Sequence, residues 1–207
     1  MVTAVRERAP NVEYMKLHIP TLEAVWDTQG LQRATFLEAL QLMGDDAFVY
    51  LEDDVILTRQ FCKKAEAAIR QKPKAVIQFF SRRADDIRVG SRWQSGSVYL
   101  MNQCVYMPSG MGRAVAAYLP RWYEEQHRLL AVNPEESQIA GSLGRGGCDM
   151  MLRHFFKDNG IKHWVSIPSL VEHGVVPSVI DSRRAKKRQS KTFTAPELFG
   201  KPAELVL

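Results

Sequence analysis

The chain has 207 residues, 45% hydrophobic and 25% charged, with a formal charge of +5 from 28 basic and 23 acidic side chains. This is ordinary globular make-up, long enough to bury a core without staples. The mild basic bias permits an anionic partner without demanding one. No run of about 18 apolar residues marks a membrane span. Met1 to Arg8 lacks the apolar core of a signal peptide, so a cytoplasmic location without membrane insertion is expected. Cys62, Cys104 and Cys148 are odd in number and far apart. That fits reduced thiols and excludes both a disulfide framework and CxxC-type zinc.

Strand-like and helix-like stretches alternate, which predicts an α/β layered fold with a mainly parallel sheet flanked by helices. Residues 1–180 read as one domain and 181–207 as a basic tail. Met1 to Val5 reads as a first strand, followed by a polar loop through Arg6, Arg8 and Pro10. Leu22 to Trp26 is a second strand, Asp27 to Gly30 a turn, and Leu31 to Met43 an apolar-periodic helix ended by Gly44. Phe48 to Leu51 is a strand. Thr58 is a candidate N-cap for a helix that runs to about Gln71 and is stopped by Pro73. Ala75 to Phe80 reads as a buried strand, Ser81 to Ser97 as a long arginine-rich loop, and Val98 to Met107 as another strand. A helix opens at Pro108-Ser109, and Asn133 to Gly147 is a second long loop. The helix after Cys148-Asp149 closes at Asn159-Gly160, and Trp164 to Ile167 is a short strand. Asp181 to Lys191 holds six basic residues and one acid.

The most informative stretch is Phe48-Val49-Tyr50-Leu51-Glu52-Asp53-Asp54-Val55-Ile56-Leu57. Three adjacent carboxylates inside an apolar run are costly to bury unpaired. A strand that ends at an open edge and offers the acids to a cation resolves this, and a hard divalent ion usually keeps positions free for substrate phosphates. Strand alternation places Glu52 and Asp54 on one face and Asp53 on the other. A solvated surface turn is the plain alternative.

A strand ending in Glu-Asp-Asp-Val, with a helix containing Phe61 after it, resembles the metal motif of GT-A fold glycosyltransferases, in the branch of small family-25 enzymes. The likeness runs from about Asp27 to about Lys191. Trp93 to Pro108 resembles the acceptor-side loop and strand, and Gly147-Cys148-Asp149 the position of the acid that is the base in inverting members. The segment Pro168 to His173, with Ser178 after it, resembles the late metal-binding histidine segment.

The resemblance implies a Rossmann-like GT-A domain that uses Mn2+ (or Mg2+) and a nucleotide-diphosphate sugar, with a UDP-sugar favoured. It implies Asp54 and His173 as metal ligands and Asp149 as catalytic base. Thr3, Arg6, Arg8, Asp27, Glu52, Asp53, Arg183 and Lys187 would contact the donor, and Arg184 could join them. Arg82, Arg83, Arg92 and Trp93 would face the acceptor.

Each position also has a plainer reading. Asp149 could be a helix N-cap, His173 a histidine hydrogen-bonded near a turn, and the tail cations a solvated run. Small virus-encoded relatives of such enzymes glycosylate hydroxymethylated pyrimidines in DNA, and the basic loop and tail fit that acceptor; the enzyme would then work in a host cytoplasm. A bacterial surface glycan or a protein hydroxyl is the alternative acceptor. From other classes, a metal-dependent nuclease would need a second carboxylate set, for which only Asp85-Asp86 stand out. A catalytically dead binding module would not need Glu52, Asp54, Asp149 and His173 intact.

Overall fold

The computed structural model describes residues 1–100, 102–137, 147–174 and 189–193. Among them are nine strands and six α-helices: β1 (Val2–Val5), α1 (Ala9–His18), β2 (Ala24–Asp27), α2 (Gln32–Met43), β3 (Phe48–Glu52), β4 (Val55–Leu57), α3 (Phe61–Gln71), β5 (Val76–Gln78), α4 (Asp86–Val89), β6 (Arg92–Ser95), β7 (Cys104–Met107), α5 (Met111–Val132), α6 (Cys148–Asp158), β8 (Lys162–Val165) and β9 (Val171–His173). Seven strands form one mixed sheet in the order β2-β1-β3-β7-β5-β8-β6, and β4 pairs with β9 in a separate ribbon. β1 runs parallel to β2 and β3, and β5 parallel to β8. β7 is antiparallel to β3 and β5, and β6 to β8. So β1, β2, β3, β5 and β8 share one direction, and their carboxyl ends form one edge. Among the described residues no helix is long and apolar enough to cross a membrane.

Both sheet faces are covered, and β3 shows how. Phe48 and Tyr50 join Phe36, Leu40, Val115, Leu152 and Phe156 beneath α2, α5 and α6, whereas Leu51 joins Met15, Leu57, Phe61 and Val171 under α1, α3 and the ribbon. The period of two sends successive side chains into opposite layers, so the strand reads as a continuous apolar run.

Several expectations are corrected. The stretch after β1 is not a loop: a single 3-10 turn, Arg6–Arg8, leads into α1, with Pro10 in its first turn. Val12 and Met15 are fully buried, but Leu17 is 81% exposed, so the segment shows no apolar stripe in sequence. Thr58 is buried and is not the N-cap of α3, which begins at Phe61 after the left-handed Gln60. The segment from Ser81 to Ser97 contains α4 and β6. β6 carries one large apolar residue, and its strand state comes from its partner: Trp93 lies opposite Trp164 with ring centroids 5.6 Å apart. The strand expected over Val98 to Met107 is confined to its last four residues.

Candidate active site

The chain leaves β1 for β2 on one side and returns through α2 to β3 on the other. The carboxyl edge between β1 and β3 is therefore a topological switch point, where open α/β sheets bind ligands. Thr3 stands in register with Glu52 there. The acid run follows at once, as a turn that carries the chain from β3 into β4.

That turn divides the three acids. Asp53 swings inward, and its carboxylate accepts from the Val5 amide at 2.8 Å and from the Arg8 guanidinium. Asn11 holds the turn by donating to the carbonyls of Asp53 and Val55. Burial raises the Asp53 pKa more than Arg8 and the Val5 amide lower it. For Arg8, burial is again the largest influence, but Asp53, Asp54 and Glu52 together outweigh it and raise its pKa. The two shifts pull in opposite senses for one ion pair. The direct hydrogen bonds into Asp53 need an acceptor, so the paired, ionised form is the one the geometry supports.

Asp54 faces a different set of neighbours. Its Oδ2 lies 3.2 Å from Arg8 Nη1 and 3.3 Å from His173 Nε2, while its Oδ1 is buried without a hydrogen-bond partner. The ribbon brings His173 here: Val55 pairs with His173, and the Gly174 amide donates to the Asp54 carbonyl at 2.6 Å. The imidazole is oriented from behind, because Nδ1 is 2.8 Å from the Gly174 carbonyl. A carbonyl only accepts, so Nδ1 carries the proton there, and Nε2 presents a lone pair or a second proton to Asp54. Two ligands of one octahedral ion with bonds near 2.1 Å stand about 3 Å apart, and Mg2+ is usually held by only one or two carboxylates, with waters and substrate phosphates completing its shell. Asp54 and His173 fit that pattern, including the unpartnered Oδ1. Among the described residues no group of three His, Cys, Asp or Glu side chains forms a full metal cage.

The expectation that Glu52 shares a face with Asp54 is corrected, because the strand ends at Glu52 and alternation stops with it. Glu52 lies on the α6 side of the sheet, opposite Gln103, whose Nε2 donates to Glu52 Oε2 at 3.1 Å. Asp149 is not the N-cap of α6. Gly147 is, and Asp149 stands in the first turn, accepting from the Met150 amide at 2.9 Å. A Cβ on Gly147 would collide with Asp149 Oδ1, so the glycine clears space for the carboxylate. Burial pushes the hydroxyl of Tyr99 and the thiol of Cys148 far up, and the charges of Asp149 and Glu52 add to both. Both acids therefore act on the same buried groups, and the N-terminus of α6 lies beside the carboxyl end of β3.

The remaining expected residues are spread more widely. Thr3 shares a 2.7 Å hydrogen bond with buried Tyr50, Arg6 stacks on Trp26, and Asp27 accepts from the amides of Gln29 and Leu31 to shape the turn before α2. Arg92 is tied to Asp86 at 2.8 Å and Asp85 at 3.6 Å, and Arg83 donates to the Val98 carbonyl at 2.6 Å. Trp93 lies on β6, four strands from β3, which is about 19 Å at the usual strand spacing. Arg82 is exposed. Arg183, Arg184 and Lys187 lie outside the described residues.

Five contributors escaped the sequence reading. Asn11 pins the acid turn. Asn102 and Gln103 are a polar pair in an otherwise apolar run, and that interruption was their available signal. Ser190 and Thr192 form a strap: the Ser190 amide donates to Glu172, its hydroxyl to Ser169, and the Ser169 amide to Thr192. The strap docks beside β9, next to His173. No protein-family model matches the chain, and a search of curated proteins finds no significant relative.

Proposed function

We propose that the chain is a metal-dependent glycosyltransferase of the GT-A type, which moves a sugar from a nucleotide-diphosphate donor to an acceptor hydroxyl. The observation that carries this reading is the Asp54–His173 pair, 3.3 Å apart beside an unpartnered buried carboxylate oxygen at the sheet's switch point. These two residues would hold Mn2+ or Mg2+, which supplies positive charge against the departing diphosphate. Arg8 lies at the same edge, its guanidinium paired with Asp53 and Asp54.

Asp149 takes the proton from the acceptor hydroxyl as that oxygen attacks the anomeric carbon. The carbon–oxygen bond to the diphosphate breaks, its electron pair leaves with the nucleotide, and the anomeric centre inverts. Glu52 and Asp53 shape the donor edge of the site, and a UDP-sugar is the favoured donor.

For the acceptor, 5-hydroxymethylcytosine in DNA fits the basic composition and the exposed Arg82. A glycan or protein hydroxyl is the second reading, and a specific observation favours it: Arg83 and Arg92 are engaged within the fold. The nuclease reading loses its second acid pair, since Asp85 and Asp86 are committed to Arg92.

The test is incubation with manganese and a panel of nucleotide-sugars, with and without hydroxymethylcytosine-containing DNA, followed by mass spectrometry of the digested nucleosides. A nucleoside heavier by one sugar establishes donor, acceptor and reaction together. Donor hydrolysis alone keeps the transferase and moves the acceptor to glycans or proteins. No turnover of any donor overturns the reading.

A further inference from the structure

Two buried carboxamides beside Glu52 and Tyr99 each leave one of their two side-chain polar atoms without a partner. Gln103 is 3% exposed and Asn102 is 1% exposed. They immediately precede β7, and the Glu52 amide donates to the Gln103 carbonyl at 3.0 Å, which fixes them at the carboxyl edge beside β3. Gln103 uses Nε2 on Glu52, and Asn102 uses Oδ1 to accept from the Tyr99 hydroxyl at 3.3 Å. Gln103 Oε1 and Asn102 Nδ2 are buried without a partner. Flipping Gln103 would set its oxygen against a carboxylate, so its orientation is imposed and the orphan atom is an acceptor. A buried acceptor left unpaired carries its full desolvation penalty, so native chains keep few of them. An orphan acceptor on Gln103 and an orphan amide atom on the adjacent Asn102 match a pair of hydroxyl groups, the one at Gln103 donating.

We infer that Gln103 and Asn102 are the specificity-determining pair that reads the hydroxyl groups of the transferred sugar, and that the sugar is a neutral hexose. This rests on the glycosyltransferase reading. Glu52, hydrogen-bonded to Gln103, sets the charge preference: a uronic acid would bring a second carboxylate against it, whereas neutral hydroxyls meet no repulsion.

The experiment is calorimetric titration, with manganese present, of UDP, UDP-glucose, UDP-galactose, UDP-glucuronic acid and singly deoxygenated UDP-hexoses into wild type, Gln103→Leu and Asn102→Leu. Wild type should bind one neutral UDP-hexose at least tenfold more tightly than UDP-glucuronic acid. Gln103→Leu should lose about 10- to 100-fold in affinity for that hexose donor while binding UDP as before. One deoxygenated donor should bind wild type more weakly and Gln103→Leu no worse than the parent sugar, a coupling that a merely structural role would not produce. If Gln103→Leu fails to fold, the deoxygenated series on wild type and the shorter amide in Gln103→Asn carry the same comparison. Equal loss for UDP and UDP-hexose, or no deoxygenated donor that discriminates, overturns the pair while leaving the transferase standing. Failure of wild type to bind any of these nucleotides overturns the donor reading and the inference with it.

Discussion

Glu52-Asp53-Asp54 is a run of like charge, whereas the segment from Arg82 to Arg92 sets four arginines around two aspartates, and the fold treats the two in opposite ways. In the arginine segment the partners are local: Arg92 is neutralised by Asp85 and Asp86, Arg83 donates to the Val98 carbonyl, and Arg82 and Arg88 stay exposed. The acid run draws its partners from far along the chain, from Val5, Arg8, Gln103 and His173, and buried polar atoms are left over at Asp54 and Gln103. A counter-charge a few residues away closes a short loop at little entropic cost, and the pair becomes part of the scaffold. Partners that converge from distant segments at a sheet edge satisfy some lone pairs and leave others for a ligand.

The sharpest way to break this contrast is Asp54→Ala. Donor turnover at saturating manganese should fall about a thousandfold, or about 4 kcal/mol, while the urea midpoint stays within the range of a surface substitution. Retained turnover would remove Asp54 from the site. In the arginine run the largest effect should be on stability instead. Asp86→Ala strands the mostly buried Arg92 and removes an acceptor from the Arg83 amide, at a cost of about 3 kcal/mol in urea unfolding. A cost under about 1 kcal/mol would show that Arg92 finds water or Asp85 as readily.

A pH series sharpens the same comparison. His163 lies behind the arginine segment, opposite Gln94 and fully buried, with both ring nitrogens unpartnered. Burial first, and the Arg83 charge second, lower its pKa to about 4. The unfolded chain takes up this proton from about pH 6.5 downward and the folded chain does not. The stability contribution is therefore complete above pH 6.5 and is lost as pH falls toward 4, by up to about 3 kcal/mol. Urea unfolding at pH 7, 5.5 and 4.5 checks the slope, and His163→Phe should flatten it. The smallest effect is expected at Arg82. Arg82→Ala should change stability by no more than about 0.5 kcal/mol, and where DNA is the acceptor it should reduce the salt slope of binding by about one. An equal or larger slope change in Arg92→Ala would show that the internal ion pair opens for DNA.

Much of the fold was legible. The apolar run into Glu52 announced β3, 3.6-residue periodicity announced α2 and α6, Pro73 marked the end of α3, and glycines marked the ends of α2 and α6. The α/β class followed from their alternation. α1 and β6 were missed because neither carries its own pattern: α1 leaves Leu17 exposed, and β6 is a strand through its pairing with β8. At the site, Asp54, Asp149 and His173 were named from short segments, whereas Asn102 and Gln103 passed as part of a strand.

The sequence by itself determined the order and kind of most elements and the presence of three acids after a buried strand. Burial pattern and backbone preference are short-range properties that leave a periodic trace. Only the tertiary structure decided that Asp53 turns in toward Arg8, that Asp54 meets His173 across the β4–β9 ribbon, and that Glu52 goes to the opposite layer beside Gln103. Those choices depend on strand order, register and one turn, which bring together segments too far apart in the chain for any local pattern to record.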